Sequence, residues 1–116
     1  MEFLNKLEIR GVVGRAECST VGNGRLCKFS VVTDYNYRRD GSPVTDSTWF
    51  NVSAWEGRGM PNLDQLAKGT WVHVFGRVRT YKYTTPEGED RSNWEVMANR
   101  VTILEPEDGM MQPQHP

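Results

Sequence analysis

An all-β fold of five strands, with one short helix between the third and fourth, is predicted by three features of this 116-residue chain. Apolar residues recur at every second position over several separate stretches. Val, Thr and aromatic residues, which suit a pleated surface, populate those stretches. Gly-, Pro- and Asn-containing turn signals separate them. The length fits one domain able to bury a substantial core.

The first strand reads from about Leu4 to Glu17, with Leu7, Ile9, Gly11 and Val13 on one face. Gly11 and Gly14 permit the bend or bulge that a long barrel strand needs. Ser19–Gly24 is a turn, and Leu26–Asp34 alternates through Phe29 and Val31 as the second strand. Tyr35–Thr45 reads as a loop or hairpin centred on Asp40-Gly41, a strong two-residue turn signal. The third strand covers Thr48–Trp55. Between Pro61 and Gly69, proline near the start, Leu63, Leu66 and Ala67 as a stripe, and a terminal glycine predict two helical turns. Thr70–Thr80 forms the fourth strand, with Val72, Val74, Gly76 and Val78 on one face, and a polar hairpin turns near Pro86-Glu87-Gly88. Asn93–Leu104 is the fifth strand, and its alternation sends Trp94, Val96 and Ala98 inward. Residues 1–104 thus make one domain, and 105–116 a short polar tail expected to be disordered. This element order is that of an OB-fold, a small Greek-key barrel that binds oligonucleotides or oligosaccharides.

The third strand carries the clue to function. Side chains alternate between the faces of a strand, so Phe50, Val52 and Ala54 share the face suited to burial. Trp49, Asn51, Ser53 and Trp55 share the other. Two indoles on an otherwise polar sheet face suit a ligand with flat faces of its own, and nucleobases are the commonest such ligand. Packing beneath a loop or against a second subunit is the competing explanation of the same rings.

Net charge is −1, yet all 14 Lys and Arg precede Glu105, against 12 Asp and Glu in the same span. The body is weakly positive, so binding would rest on local cation placement plus stacking rather than on a large field. The N-terminus has no secretory signal pattern, and no apolar run approaches the roughly 20 residues that span a bilayer. A soluble, cytoplasmic protein is therefore expected. Cys18 and Cys27 flank a hairpin turn, and in a reducing cytoplasm two free thiols are the expected state. No spacing suits a metal, no nucleophile–base pair or phosphate-cradling glycine loop is visible, and neither enzymatic activity nor a cofactor is expected.

The chain resembles the bacterial single-stranded-DNA-binding protein family over roughly residues 4–104. The matching pieces are NKLEIRGVVGR at Asn5–Arg15, KFSVVT at Lys28–Thr33, TWFNVSAW at Thr48–Trp55, LAKGTWVHVFGRVRTYKY at Leu66–Tyr83 and WEVMANRVTIL at Trp94–Leu104. Their order and spacing carry the resemblance, since each piece alone is common. It implies a homo-oligomer, a tetramer rather than a dimer, that coats single-stranded DNA without sequence preference in replication, recombination or repair, in the nucleoid. It assigns stacking to Trp49, Trp55, Tyr83 and Tyr37 and phosphate contacts to Lys6, Lys68, Arg79 and Lys82. Arg77 joins them by strand alternation with Arg79. The resemblance places subunit packing on the outer face of the fourth strand, where Trp71, His73 and Phe75 form an apolar patch. Family members end in a long tail with an acidic, Phe-terminated tip that recruits repair enzymes. This chain ends at Gln114-His115-Pro116, so that recruitment is not expected of it. Two other readings are an OB-fold adaptor of the primosomal type, whose rings bind protein, and an oligosaccharide binder.

Overall fold

Each predicted strand forms in the computed structural model, which describes residues 1–57 and 60–105, and the strands run longer than their alternation suggests. They are β1 (Leu7–Val21), β2 (Gly24–Arg39), β3 (Ser42–Trp55), β4 (Trp71–Thr84) and β5 (Asp90–Leu104). The sheet closes on itself in the order β1-β2-β3-β5-β4. This is the expected OB-fold barrel. Beyond Glu105 the predicted tail lies outside the described residues.

Of the two readings of Tyr35–Thr45, loop or hairpin, the hairpin holds: it is the end of a long β2–β3 ribbon, paired through to Arg39↔Ser42. Asp40 and Gly41 make the turn with φ of 53° and 82°, the left-handed region that a tight hairpin demands. Within β1 the register slips between Val13 and Arg15, so Gly14 is the bulge that bends the strand around the barrel. A second slip falls at Phe75/Gly76 on β4. A side chain at Gly76 would collide with the backbone carbonyl of Met97, so only glycine admits the partner strand that closely.

The two helical turns expected over Pro61–Gly69 reduce to one 3-10 turn at Leu63–Gln65. So short a segment recovers little of the cost of nucleating a helix. Its polar groups find local partners instead: Asn62 caps the Asp64 amide at 3.0 Å, and the Ala67 amide donates to Thr70 Oγ1 at 3.2 Å. The apolar stripe still works, because Leu63 and Leu66 are buried and plug one end of the barrel. Arg25 on β2 ties this turn down through a two-pronged pair with Asp64, and that carboxylate raises the guanidinium pKa above its ordinary value.

The core consists mainly of β-branched residues, with Val13, Val31, Val52, Val72, Val74 and Val96 fully enclosed. Trp94 is not among them. It shares the inward phase of Val96 and Ala98, but it precedes Val96, the first β5 residue paired with β3. There the β4–β5 ribbon projects away from the barrel and its inner face opens to solvent. The indole is 41% exposed and meets Phe50 edge-on, with centroids 6.1 Å apart.

Cys18 and Cys27, expected as free thiols, are joined by a disulfide. Strand register decides the pairing: the two residues lie directly opposite one another on β1 and β2, with Cα atoms 4.0 Å apart. The bridge closes a short loop around the Gly22-Asn23 turn. Reducing it, or replacing both cysteines with serine, is expected to lower stability by about 2–3 kcal/mol, read from urea midpoints with and without dithiothreitol.

Candidate nucleic-acid interface

The outer face of the β1–β2–β3 sheet presents both predicted indoles, and each lies over a glycine. A methyl group at Gly14 would come within 2.5 Å of the Trp49 ring, and one at Gly24 within 3.1 Å of the Trp55 ring. The missing side chains let the six-membered rings of both indoles approach the sheet backbone closely while the residues stay half-exposed. Trp49 is 56% exposed and Trp55 43%. Six positions separate them, so they stand about 20 Å apart along β3 at ~3.3 Å per residue.

Between the rings, Asn51 and Ser53 form the floor with Ser30 and Lys28, their cross-strand partners on β2. The β4–β5 ribbon rises beside this floor as a wall. The result is a groove of about 250 Å³ whose lining includes Arg15, Lys28, Asn51, Ser53, Tyr81 and Glu95. Among the described residues, Glu95 is the one buried charged side chain. Its Oε1 accepts from Ser53 Oγ at 2.7 Å, its Oε2 accepts from Arg79 Nε at 3.1 Å, and Arg79 Nη2 completes the ion pair at 3.0 Å. A buried carboxylate requires such partners, because stripping it of water without replacement costs several kcal/mol.

The predicted binding residues fall into two groups. Arg77, Arg79 and Tyr83 alternate onto the same face of β4, with Tyr81 between them, and this face continues the surface that carries Trp49 and Trp55. Tyr81 and Tyr83 lie side by side, with ring centroids 6.2 Å apart. Lys6 joins the group from the segment before β1, where it borders a depression shared with Phe75 and Arg77. Lys68 is exposed beside Gly69, whose amide donates to the carbonyl of Val13, next to the glycine beneath Trp49. Tyr37 and Lys82 alternate onto the opposite face of their ribbons. Tyr37 is half-buried there, against Tyr35 at 5.9 Å and under the Arg39 guanidinium at 5.9 Å. Arg79 is engaged by Glu95, so it anchors the wall of the groove as well as offering charge.

The predicted interface residues Trp71, His73 and Phe75 form one half-buried row on β4. His73 stacks on Phe75 at 4.6 Å and meets Glu8 Oε2 through Nε2 at 2.6 Å, while Arg100 lies over the Phe75 ring. Charged side chains from β1 and β5 therefore frame the apolar row.

The described barrel coincides with a family match. Residues 4–104 match the model of the single-strand binding protein family. The chain belongs to that family. Family relatives include the single-stranded DNA-binding protein of Neisseria meningitidis, 31% identical over 104 residues, which span 87% of this chain and 60% of that protein. The Treponema pallidum single-stranded DNA-binding protein is 31% identical over 85 residues, 73% of this chain and 48% of its own length. The chain thus spans about half to three fifths of these relatives. Among solved structures, a Plasmodium falciparum SSB in complex with ssDNA superposes with a TM-score of 0.75 at 22% identity, covering 90% of this chain and 98% of that one. A small single-stranded DNA-binding protein from Streptomyces coelicolor gives 0.64 at 19% identity, covering 87% and 95%. At those identities the structural likeness concerns the fold.

Tyr81, Arg15, Lys28 and Glu95 complete this family member's groove and escaped the sequence reading. Tyr81 was accessible to it, since it shares the phase of Arg79 and Tyr83. Glu95 was not, because its burial arises from the ribbon folding against β3. Ser53→Ala is expected to cost about 1–2 kcal/mol in urea denaturation, because it leaves the buried Glu95 carboxylate short of a donor. Ser47→Ala removes the exposed bond to Asp34 and should change stability by less than ~0.5 kcal/mol.

Proposed function

We propose that this protein binds and protects single-stranded DNA, stacking aromatic rings on bases while Lys and Arg contact phosphates. The observation that carries this reading is the pair of half-exposed indoles, Trp49 and Trp55, packed against the sheet over Gly14 and Gly24. A ring supported by the sheet and still half-exposed is a stacking platform for a base. The groove between them runs beside Tyr81, with Arg15 and Lys28 in its lining, while Arg77 and Tyr83 share the Tyr81 face of β4. Cations at its margins neutralise phosphates and release counterions. Every base has a π-face, so such a surface accepts single strands of any sequence, while duplex DNA keeps its bases in the stack. Family membership supports the same conclusion.

On this reading Trp49, Trp55, Tyr81 and Tyr83 stack, and Lys6, Lys68, Arg77 and Arg79 serve the backbone. Tyr37 and Lys82 act on the reverse of the ribbons, with Phe50 and Trp94 beside them, where a strand wrapping past the groove would meet them. The row Trp71–His73–Phe75 packs against another copy in a homo-oligomer, a tetramer in preference to a dimer. Residues 1–104 make the binding domain and 105–116 a tail, and the working location is the nucleoid.

Oligo(dT) is expected to quench tryptophan emission strongly, and less so as salt rises, while a duplex of equal length has little effect. Trp55→Ala should weaken single-strand binding by ~1–3 kcal/mol with the barrel intact by circular dichroism. An unquenched, folded protein would reassign the aromatic face to a protein interface.

A further inference from the structure

The Cys18–Cys27 disulfide stands at the root of the hairpin tip against which Trp55 packs. Resting on the single-strand reading above, we infer that this bridge is a positioning element for Trp55, so that affinity for single strands follows its redox state. β3 ends at Trp55, opposite Leu26, so the tip from Ser19 to Arg25 runs past the end of β3. Ser19 to Asn23 are all exposed, and Val21, the one large apolar residue of the tip, is 46% exposed. So little buried surface puts the tip at the low end of local stability. Yet it carries two parts of the Trp55 surroundings. Gly24 lies beneath the indole. The Arg25 carbonyl accepts from the Glu56 amide at 2.9 Å, and its guanidinium pairs with Asp64 and Glu56. The bridge joins the two arms one register pair inside Leu26, so any opening of the tip is confined to a short closed loop.

The two sulfurs differ in access. Cys27 is fully buried, whereas Cys18 is half-buried and lines a surface depression with Arg25, Leu63, Asp64 and Leu66. A dithiol reductant meets the bridge from that side. Its thiolate attacks Cys18 Sγ, the S–S bond breaks, and Cys27 Sγ leaves with the electron pair and takes up a proton. The second thiol of the reductant then displaces Cys18, which takes up the other proton. Two thiols form on the chain, and the reductant ends as its own disulfide. What then holds the tip is exposed backbone pairing from Val21↔Gly24 to Ser19↔Leu26 and the part-exposed Arg25 ion pairs, which solvent screens. When the tip opens, Gly24 leaves the indole, and Trp55 must be ordered again as a base arrives, at a cost in affinity. Disulfides in reducing compartments are usually transient, catalytic or redox-sensing. A bridge at the margin of a binding surface fits the sensing use.

Anisotropy of dye-labelled oligo(dT) tests this on oxidised protein and on protein reduced with dithiothreitol, with thiols counted chemically and the barrel checked by circular dichroism. Anisotropy is preferred to tryptophan emission because a disulfide near an indole quenches it directly. Removing a stacking ring altogether weakens binding by roughly fivefold or more. Loosening Trp55 by reduction is therefore expected to raise Kd by about threefold, and reoxidation should restore it. Cys18→Ser/Cys27→Ala should bind as the reduced protein does and ignore dithiothreitol. In Trp55→Ala the redox dependence should fall away, which a general loss of stability would not produce. Equal Kd in the two redox states, a redox ratio that persists in Trp55→Ala, or a barrel lost on reduction would each overturn the positioning role. Failure of both redox forms to bind any oligonucleotide would sink the single-strand reading itself.

Discussion

The barrel closes at a narrow seam, and much of the molecule depends on it. β3 and β5 meet in parallel through two register pairs, Val52↔Val96 and Ser53↔Met97, whereas every other neighbouring pair of strands is antiparallel and longer. At that seam Ser53 and Glu95 are both buried and hydrogen-bonded to each other, and Arg79 reaches across from β4. One polar cluster therefore joins three strands. Its members hold the ribbon against the sheet and line the groove. The physics of closing the fold and of shaping the binding surface is shared there.

A second constraint is the placement of small residues beneath large ones. Gly14 gives β1 its bulge and gives Trp49 a surface to lie on. Gly24 does the latter for Trp55. A β-carbon at Gly14 would push the Trp49 indole off the sheet, and one at Gly24 would press Trp55 outward by a few tenths of an ångström, so each ring would be held less firmly. Ordering such a side chain on binding costs conformational entropy. The glycines keep that cost low in advance.

The two ribbons that extend past the barrel explain why alternation assigns burial correctly in some places and not in others. Within the barrel, one phase of each strand faces the enclosed core. Beyond it the same phase faces nothing, so Trp94 shares its phase with Val96 yet stands half in solvent. Phe50 and Tyr37 follow the same logic on the β2–β3 hairpin. The result is a second aromatic face, opposite to the one bearing Trp49 and Trp55. Trp94 therefore faces solvent for a topological reason rather than a compositional one.

Local chemistry written in the sequence determined a good deal of this protein. The Asp40-Gly41 turn, the succession of strands along the chain, the bulge at Gly14 and the outward phase of Trp49 and Trp55 all follow from dihedral preference and side-chain alternation, which act between near neighbours. The family followed from the order of its motifs. Tertiary structure alone decided the rest. It set how far the strands run past the barrel, which left Trp94 outside the core, and it brought Cys18 opposite Cys27. It reduced a helical pattern to a single turn, because two leucines at the barrel mouth needed burial more than the backbone needed a helix. It also buried Glu95, whose partners stand 42 and 16 residues away in the chain. Contacts over such separations depend on how distant strands register against one another, and no window of neighbouring residues contains that information.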